Sequence, residues 1–210
     1  MKPIIHNSFP QGSLEWEQIR IGRVGGSSAA ALLTNGKSES GLGAAAITMI
    51  YGKASEILTG ETEEFYVNDA MRRGTELEPF ARREYENSTF QSVDEIGYIS
   101  LGNYFGYSPD GFVGDEGLIE IKCPGAKGFV EYVDKRGVLK EIPKNYYAQM
   151  QFGLFITSRK YCDYIVYHPG FKKSLIIERI EPDITIQNRF AEVIPAYISE
   201  IERVLALFER

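Results

Sequence analysis

Ser108-Pro109-Asp110-Gly111-Phe112-Val113 and, past a glycine-flanked turn, Leu118-Ile119-Glu120-Ile121-Lys122-Cys123-Pro124 form the stretch on which the reading of this chain turns. Side chains two apart in a strand share a face, so Glu120 and Lys122 project together while Ile119 and Ile121 enter the opposite layer. Two charges thus interrupt an otherwise apolar strand. With the preceding strand antiparallel and adjacent, Asp110 at its start reaches the same point. Two carboxylates that close repel and are driven toward protonation unless a cation lies between them. A hard divalent ion such as Mg²⁺ takes oxygen ligands of this kind, with waters and phosphate oxygens completing its shell. Lys122 beside it can lower the pKa of a bound water and stabilise charge that develops at a phosphate. Glu-x-Lys alone also suits a solvent-exposed pair on a surface hairpin, worth at most ~1 kcal/mol. Pro-Asp, the interval to Glu-x-Lys, and Cys-Pro in one run make the metal-site reading far more specific.

Working outward, three strands are expected at Ile96 to Leu101, Phe105 to Val113 and Leu118 to Lys122, separated by glycine-containing turns. Upstream, Trp16 to Arg20 reads as a short helix. The turn Gly22 to Gly26 leads into Ser27-Ser28, a serine N-cap for an alanine-rich helix through Leu33. Lys37 to Gly43 reads as a loop, and a second helix runs to about Gly60. Asn68 to Glu86 is expected to be helical on the stripe Leu77, Phe80, Ala81 and Tyr85, with Pro79 kinking it or lying near its start. Downstream come a helix from Asn145 to Phe155, strands at Tyr161 to Tyr167 and Ser174 to Ile180, and a last helix carrying apolar residues from Phe190 to Phe208 at helical spacing. No repeat or linker divides the chain. The expectation is one domain over residues 1–210, an α/β fold with a mixed central β-sheet flanked by helices.

Composition sets limits. With 43% hydrophobic and 25% charged residues the chain can bury one substantial core. Its longest apolar stretch, Leu42 to Tyr51, falls well short of the ~20 residues of a membrane span, and the first residues lack a secretory pattern, so a cytoplasmic protein with no membrane partner is expected. Cys123 and Cys162 have no paired metal-binding spacing and read as buried small apolar residues, while His6 and His168 are too few and too dispersed for a zinc site. The net charge of −6 argues mildly against a polyanionic ligand. Between Pro124 and Lys160, however, seven bases (Lys127, Lys135, Arg136, Lys140, Lys144, Arg159, Lys160) stand against three acids (Glu131, Asp134, Glu141), a local +4 that leaves −10 for the remainder. A basic strip on an acidic body suits a protein that holds DNA in one groove, and a solvated mixed-charge loop fits the charge equally well.

The Asp110, Glu120 and Lys122 pattern resembles the PD-(D/E)xK nuclease superfamily, with its restriction-endonuclease-like core, and within it the phage lambda exonuclease or YqaJ-type viral recombinase family. Trp16-Glu17-Gln18-Ile19-Arg20-Ile21-Gly22 followed by Gly26-Ser27 is similar to that family's N-terminal pattern. Gly74-Thr75-Glu76-Leu77-Glu78 followed by Ala81-Arg82 resembles its core helix, and Tyr147-Ala148-Gln149-Met150-Gln151 its glutamine helix. Where relatives carry Thr-Ala-Ser, this chain has Gly25-Gly26-Ser27.

The resemblance implies Asp110 and Glu120 as metal ligands with the Ile121 carbonyl as a third, and Lys122 as the catalytic lysine. It implies Glu78 as a further acid at the metal and Gln149 as the residue that positions water or phosphate. Arg20, Ser27 and Ser108 would form a pocket for a 5′-phosphate. Each has a plainer reading too: Thr75-x-x-Glu78 matches a capping box, Arg20 can pair with Glu17, Ser27 can cap its helix, and Gln149 and Gln151 can be polar positions of an amphipathic helix. The function implied is a Mg²⁺-dependent deoxyribonuclease, with Mn²⁺ as a possible substitute and one or two ions. It would resect linear double-stranded DNA from 5′ ends, leaving a 3′ single strand for a phage-type annealing protein in the host cytoplasm. A homotrimeric ring with the basic strip lining its channel is implied as well. The alternatives are a structure-specific or restriction-like endonuclease on the same core and a non-catalytic DNA-binding subunit.

Overall fold

The computed structural model describes residues 1–36, 41–62, 68–133 and 141–208. Along them run β1 (Pro3–His6), α1 (Leu14–Arg20), a 3₁₀ stretch (Gly26–Leu33), α2 (Ala44–Thr59), α3 (Asp69–Thr89), β2 (Val93–Asp94), β3 (Tyr98–Leu101), β4 (Phe105–Tyr107) and β5 (Gly111–Val113). They continue as β6 (Gly117–Lys122), α4 (Ala126–Tyr132), α5 (Lys144–Thr157), β7 (Tyr161–Tyr167), β8 (Leu175–Ile180) and α6 (Ile184–Leu205). The strands form a five-stranded sheet in the order β2-β5-β6-β7-β8 and a small sheet in the order β1-β3-β4. Every pair is antiparallel except β6 with β7. A parallel pair needs a crossover, and α4, α5 and their connections supply it.

β6 is the axis of the molecule, paired on one side with β5 (Gly111↔Ile119 to Val113↔Gly117) and on the other with β7 (Gly117↔Tyr161 to Lys122↔Val166). Its alternation sorts the two cores. Ile119 and Ile121 join Ile165 and Tyr167 against Ala81 and Tyr85 of α3. Leu118, Cys162, Tyr164 and Val166 face the larger core, built with α2, α5 and α6. α5 is covered on nearly every side, which is why its sequence is apolar round most of its circumference. On the α3 side, buried Asp163 accepts two hydrogen bonds from Arg179, each 2.8 Å, and one from the Tyr85 hydroxyl at 2.7 Å.

Four expectations are corrected. The strand expected over Phe105 to Val113 is two strands in two sheets, broken at Ser108-Pro109-Asp110, where proline donates no ladder hydrogen bond. The helix after Gly26 is 3₁₀, with Gly25 at its N-cap and no serine cap. Gly26, Ala29 and Leu32 are its buried residues, a spacing of three that eclipses in a 3₁₀ turn. Asn68 is the N-cap of α3 and its side chain accepts from the Met71 N–H, so Thr75 and Glu78 lie inside the helix and form no capping box. Pro79 is interior too. The last helix ends at Leu205, and Phe208 is exposed beyond it. No described helix is long and apolar enough to cross a membrane.

Candidate active site

Only 1% of Glu120 is exposed. A carboxylate so buried needs donors, and three elements supply them. Within β6 the alternation brings Lys122 alongside, its Nζ donating to Oε1 at 2.6 Å. From α5, Gln149 Nε2 donates to the same oxygen at 2.7 Å. From β4, the Tyr107 hydroxyl donates to Oε2 at 3.1 Å.

Asp110 sits one residue before β5. The β5–β6 ladder ends at Gly111↔Ile119, and the Asp110 side chain takes the next place on that edge of β6, accepting from the Ile121 N–H at 2.6 Å. The N–H and C=O of a strand residue point to the same side, so the Ile121 carbonyl faces the Asp110 side as well. Arg82 of α3 fixes the turn by donating to the Asp110 carbonyl at 3.3 and 3.1 Å. One helical turn before Arg82, Glu78 is part-buried and feels the charges of Lys122, Arg82 and Glu120.

The charges are strongly mutual. Burial, then the charge of Glu120, pushes the Asp110 carboxyl well above the usual range; Lys122 opposes this, Glu78 adds to it, and the Ile121 N–H opposes it. Glu78 is raised by desolvation, against the pull of Lys122 and Arg82. For Lys122 desolvation favours the neutral amine, but Glu120 and Asp110 outweigh it and hold the ammonium protonated. Its Nζ lies 4.7 Å from the centre of the Tyr146 ring, a cation–π contact.

Among the described residues no three His, Cys, Asp or Glu side chains converge to enclose an ion. The oxygens that could hold one are the carboxylates of Asp110 and Glu120 and the Ile121 carbonyl. Such a half shell fits a small hard cation that keeps several waters and takes one or two carboxylates. A hollow of about 600 Å³ at the seam of the two sheets, lined by Val93, Ile96, Phe112 and Arg159 among others, shares no residue with this cluster. Chemistry marks the site, and concavity does not.

Two residues before Asp110, the Ser108 Oγ accepts from Trp16 Nε1 at 2.9 Å. Arg20, one turn along α1, lies 3.8 Å over the Trp16 ring. Desolvation lowers the Arg20 pKa, against the charges of Tyr98, Glu17 and Glu56. Arg20 and Ser108 are thus brought together through Trp16. Ser27 is exposed at the start of the 3₁₀ stretch, and among the described residues no hydrogen bond joins it to either. Gln149 and Gln151 separate cleanly: Gln151 is fully buried, donates to the Glu181 carbonyl at 2.8 Å and accepts from the Asp183 N–H at 2.9 Å.

In the sequence Trp16 and Arg82 stand in the family patterns without an assigned site role, Tyr146 reads as a packing tyrosine that could stack on bases, and Tyr107 is not singled out. Three carried a usable signal, since Trp16–Arg20, Glu78–Arg82 and Tyr146–Gln149 are helical i,i+3 or i,i+4 pairs. Tyr107 carried none. Cys123 and Cys162 are buried free thiols, raised first by desolvation, Cys123 to about 12.

The expected basic strip is not continuous. Arg159 stacks on Phe112 at 3.5 Å and donates to the Gly114 and Gly117 carbonyls, and Lys160 pairs with Glu116. Both therefore sit at the end of β6 opposite Lys122. Lys127, paired with Glu131 at 3.5 Å, and Lys144 at the start of α5 lie toward the site end. Lys135, Arg136 and Lys140 fall outside the described residues.

Residues 15–160 match the model of the YqaJ-like viral recombinase domain. An alkaline exonuclease from Laribacter hongkongensis is 35% identical, with a TM-score of 0.78 over 94% of this chain and 97% of that one. The same enzyme in complex with dAMP matches equally, at 35% identity, a TM-score of 0.78 and the same 94% and 97% coverage. A phage related exonuclease from Haemophilus somnus 129PT shares the fold at 15% identity, with a TM-score of 0.70 over 89% of this chain and 96% of that one. A search of curated protein sequences returns no match.

Proposed function

Because the chain belongs to the YqaJ-like viral recombinase family, we propose that it is a metal-dependent exonuclease that resects linear double-stranded DNA from 5′ ends. It uses Mg²⁺, with Mn²⁺ as a substitute, and leaves a 3′ single strand for a phage-type annealing protein in the bacterial cytoplasm. The observation that carries the reading is the fixing of buried Glu120 by Lys122 and Gln149 on the strand beside Asp110. Binding alone does not require that set. The 35%-identical relative, an alkaline exonuclease also solved with dAMP, supports it.

Asp110, Glu120 and the Ile121 carbonyl would hold the ion, with Glu78 as a further acid beside it. When bound, the ion supplies Lewis acidity toward a phosphate oxygen and acidifies a water. Lys122 stands beside Glu120 on β6, with its ammonium on the Oε1 oxygen. Its positive charge faces the phosphate and stabilises negative charge that grows there. Gln149 orients the water or phosphate, while the water oxygen bonds to phosphorus and the P–O3′ bond breaks. Arg20 and Ser108, joined through Trp16, receive the terminal 5′-phosphate together with Ser27. Guanidinium binds phosphate through paired hydrogen bonds.

Digestion of linear and closed-circular duplex, with and without Mg²⁺ and with separate 5′ and 3′ labels, tests this. Linear DNA should lose its 5′ label first, only with the ion, and circles should survive. Cutting of closed circles would replace the reading with an endonuclease on the same core; DNA bound and never cut would leave a non-catalytic subunit.

A further inference from the structure

The torsion that turns a glutamate's carboxylate is broad and roughly two-fold, so partners alone set its plane. At Glu120 two donors, Lys122 and Gln149, converge on Oε1, which pins one oxygen and leaves the other to be placed. Tyr107 places it. Its hydroxyl meets Oε2 at 3.1 Å from a ring that is 1% exposed.

That ring stands in a slot made of bare backbone. A Cβ on Gly26 would lie 2.9 Å from its Cδ2 and Cε2 and 3.0 Å from Gln149 Cγ. A Cβ on Gly153, one turn after Gln149 on α5, would lie 2.5 Å from its Cζ. Real Cβ atoms do not approach that closely, so the 3₁₀ stretch and α5 admit the ring only because both positions are glycine. A buried tyrosine needs a partner for its hydroxyl in any fold. Here the partner is the carboxylate beside Asp110.

We propose that Tyr107 is a positioning residue of the metal site, which holds the Glu120 carboxylate in the plane that shares an ion with Asp110. This rests on the metal-dependent reading above. Loss of a hydrogen-bond partner behind a metal ligand typically weakens metal binding ~10- to 100-fold.

The test is Tyr107→Phe, which keeps the ring in its slot and removes the donor. Calorimetry with Mg²⁺, and with Ca²⁺ as a non-turnover probe, should show the dissociation constant raised about tenfold. The metal-free melting temperature should fall modestly, since one donor to the buried carboxylate is lost, and saturating Mg²⁺ should restore part of the cleavage rate. An unchanged dissociation constant overturns the proposal, and so does a lowered melting temperature with metal affinity intact. Gly153→Ala keeps the hydroxyl and displaces the ring, so it should weaken the ion similarly; if Tyr107→Phe does not fold, this variant decides. A wild-type protein that binds no divalent ion fails the metal-dependent reading itself, whereas wild-type binding and cleavage with an unaltered Tyr107→Phe fails only the positioning role.

Discussion

Lys122 contributes little to the packing of the fold. Its ammonium lies on the Tyr146 ring and on Glu120, and its side chain is 24% exposed. Lys122→Ala should therefore leave the melting temperature and Ca²⁺-supported duplex binding close to wild type while cleavage falls by ~100-fold or more, the loss typical when a donor to transition-state charge is removed. A variant that still cuts at more than a small fraction of the wild-type rate would remove Lys122 from the chemistry. Asp110, Glu120 and Lys122 were legible in the sequence because charges inside an apolar strand run against the hydrophobic pattern, and that conflict is visible locally. Tyr107 was not, because a tyrosine in a strand agrees with the pattern. Only the meeting of three elements turns its hydroxyl toward Glu120.

α5 sets two glutamines to opposite tasks one residue apart from a shared neighbour: Gln149 reaches Glu120, while Gln151 ties the helix to Glu181 and Asp183 ahead of α6. Gln149→Ala should cut activity sharply and cost less stability than the loss of Gln151, because Lys122 and Tyr107 still donate to Glu120. Gln151→Ala should lower stability by about 1–3 kcal/mol, since it removes a fully buried side chain with its hydrogen bonds to the Glu181 carbonyl and the Asp183 N–H, and should spare metal affinity. Thermal melts and calorimetry on both variants check the split, and the reverse pattern would exchange their roles. The long helices and the strands β6, β7 and β8 were readable from periodicity. β1, β2 and α4 were too short to show one, and the β4–β5 break lay in Pro109, whose missing N–H matters only once a second sheet is there to receive β5.

The α/β class was legible because helical and strand periods alternate along the chain, but the division into two sheets was not, since it depends on which strand edges meet. Charge shows the same gap. The bases from Lys127 to Lys160 look continuous in sequence, yet Arg159 and Lys160 are engaged at the β5–β6 turn, which among the described residues leaves Lys127 and Lys144 toward the site. With a net charge of −6, a single open face would lose a polyanion readily at physiological salt. A closed homotrimer would surround the duplex with three copies of the site end and keep acidic surface outside. Light scattering at micromolar concentration should give three times the chain mass, and a trap challenge should show many nucleotides removed per encounter. A monomer that digests long duplexes processively would refute enclosure, and a ring of another order would refute only the number three.

The chain's single tryptophan, Trp16, is the residue that joins Arg20 to Ser108. Indole emission responds to a cation stacked on the ring and to a hydrogen bond at its nitrogen, and here both contacts are made by residues of the proposed end-binding corner. Light absorbed by indole alone therefore samples that corner and no other part of the molecule. The protein carries an intrinsic fluorophore where a DNA terminus would draw Arg20 away, so arrival at an end becomes visible on its own, ahead of hydrolysis and without a dye.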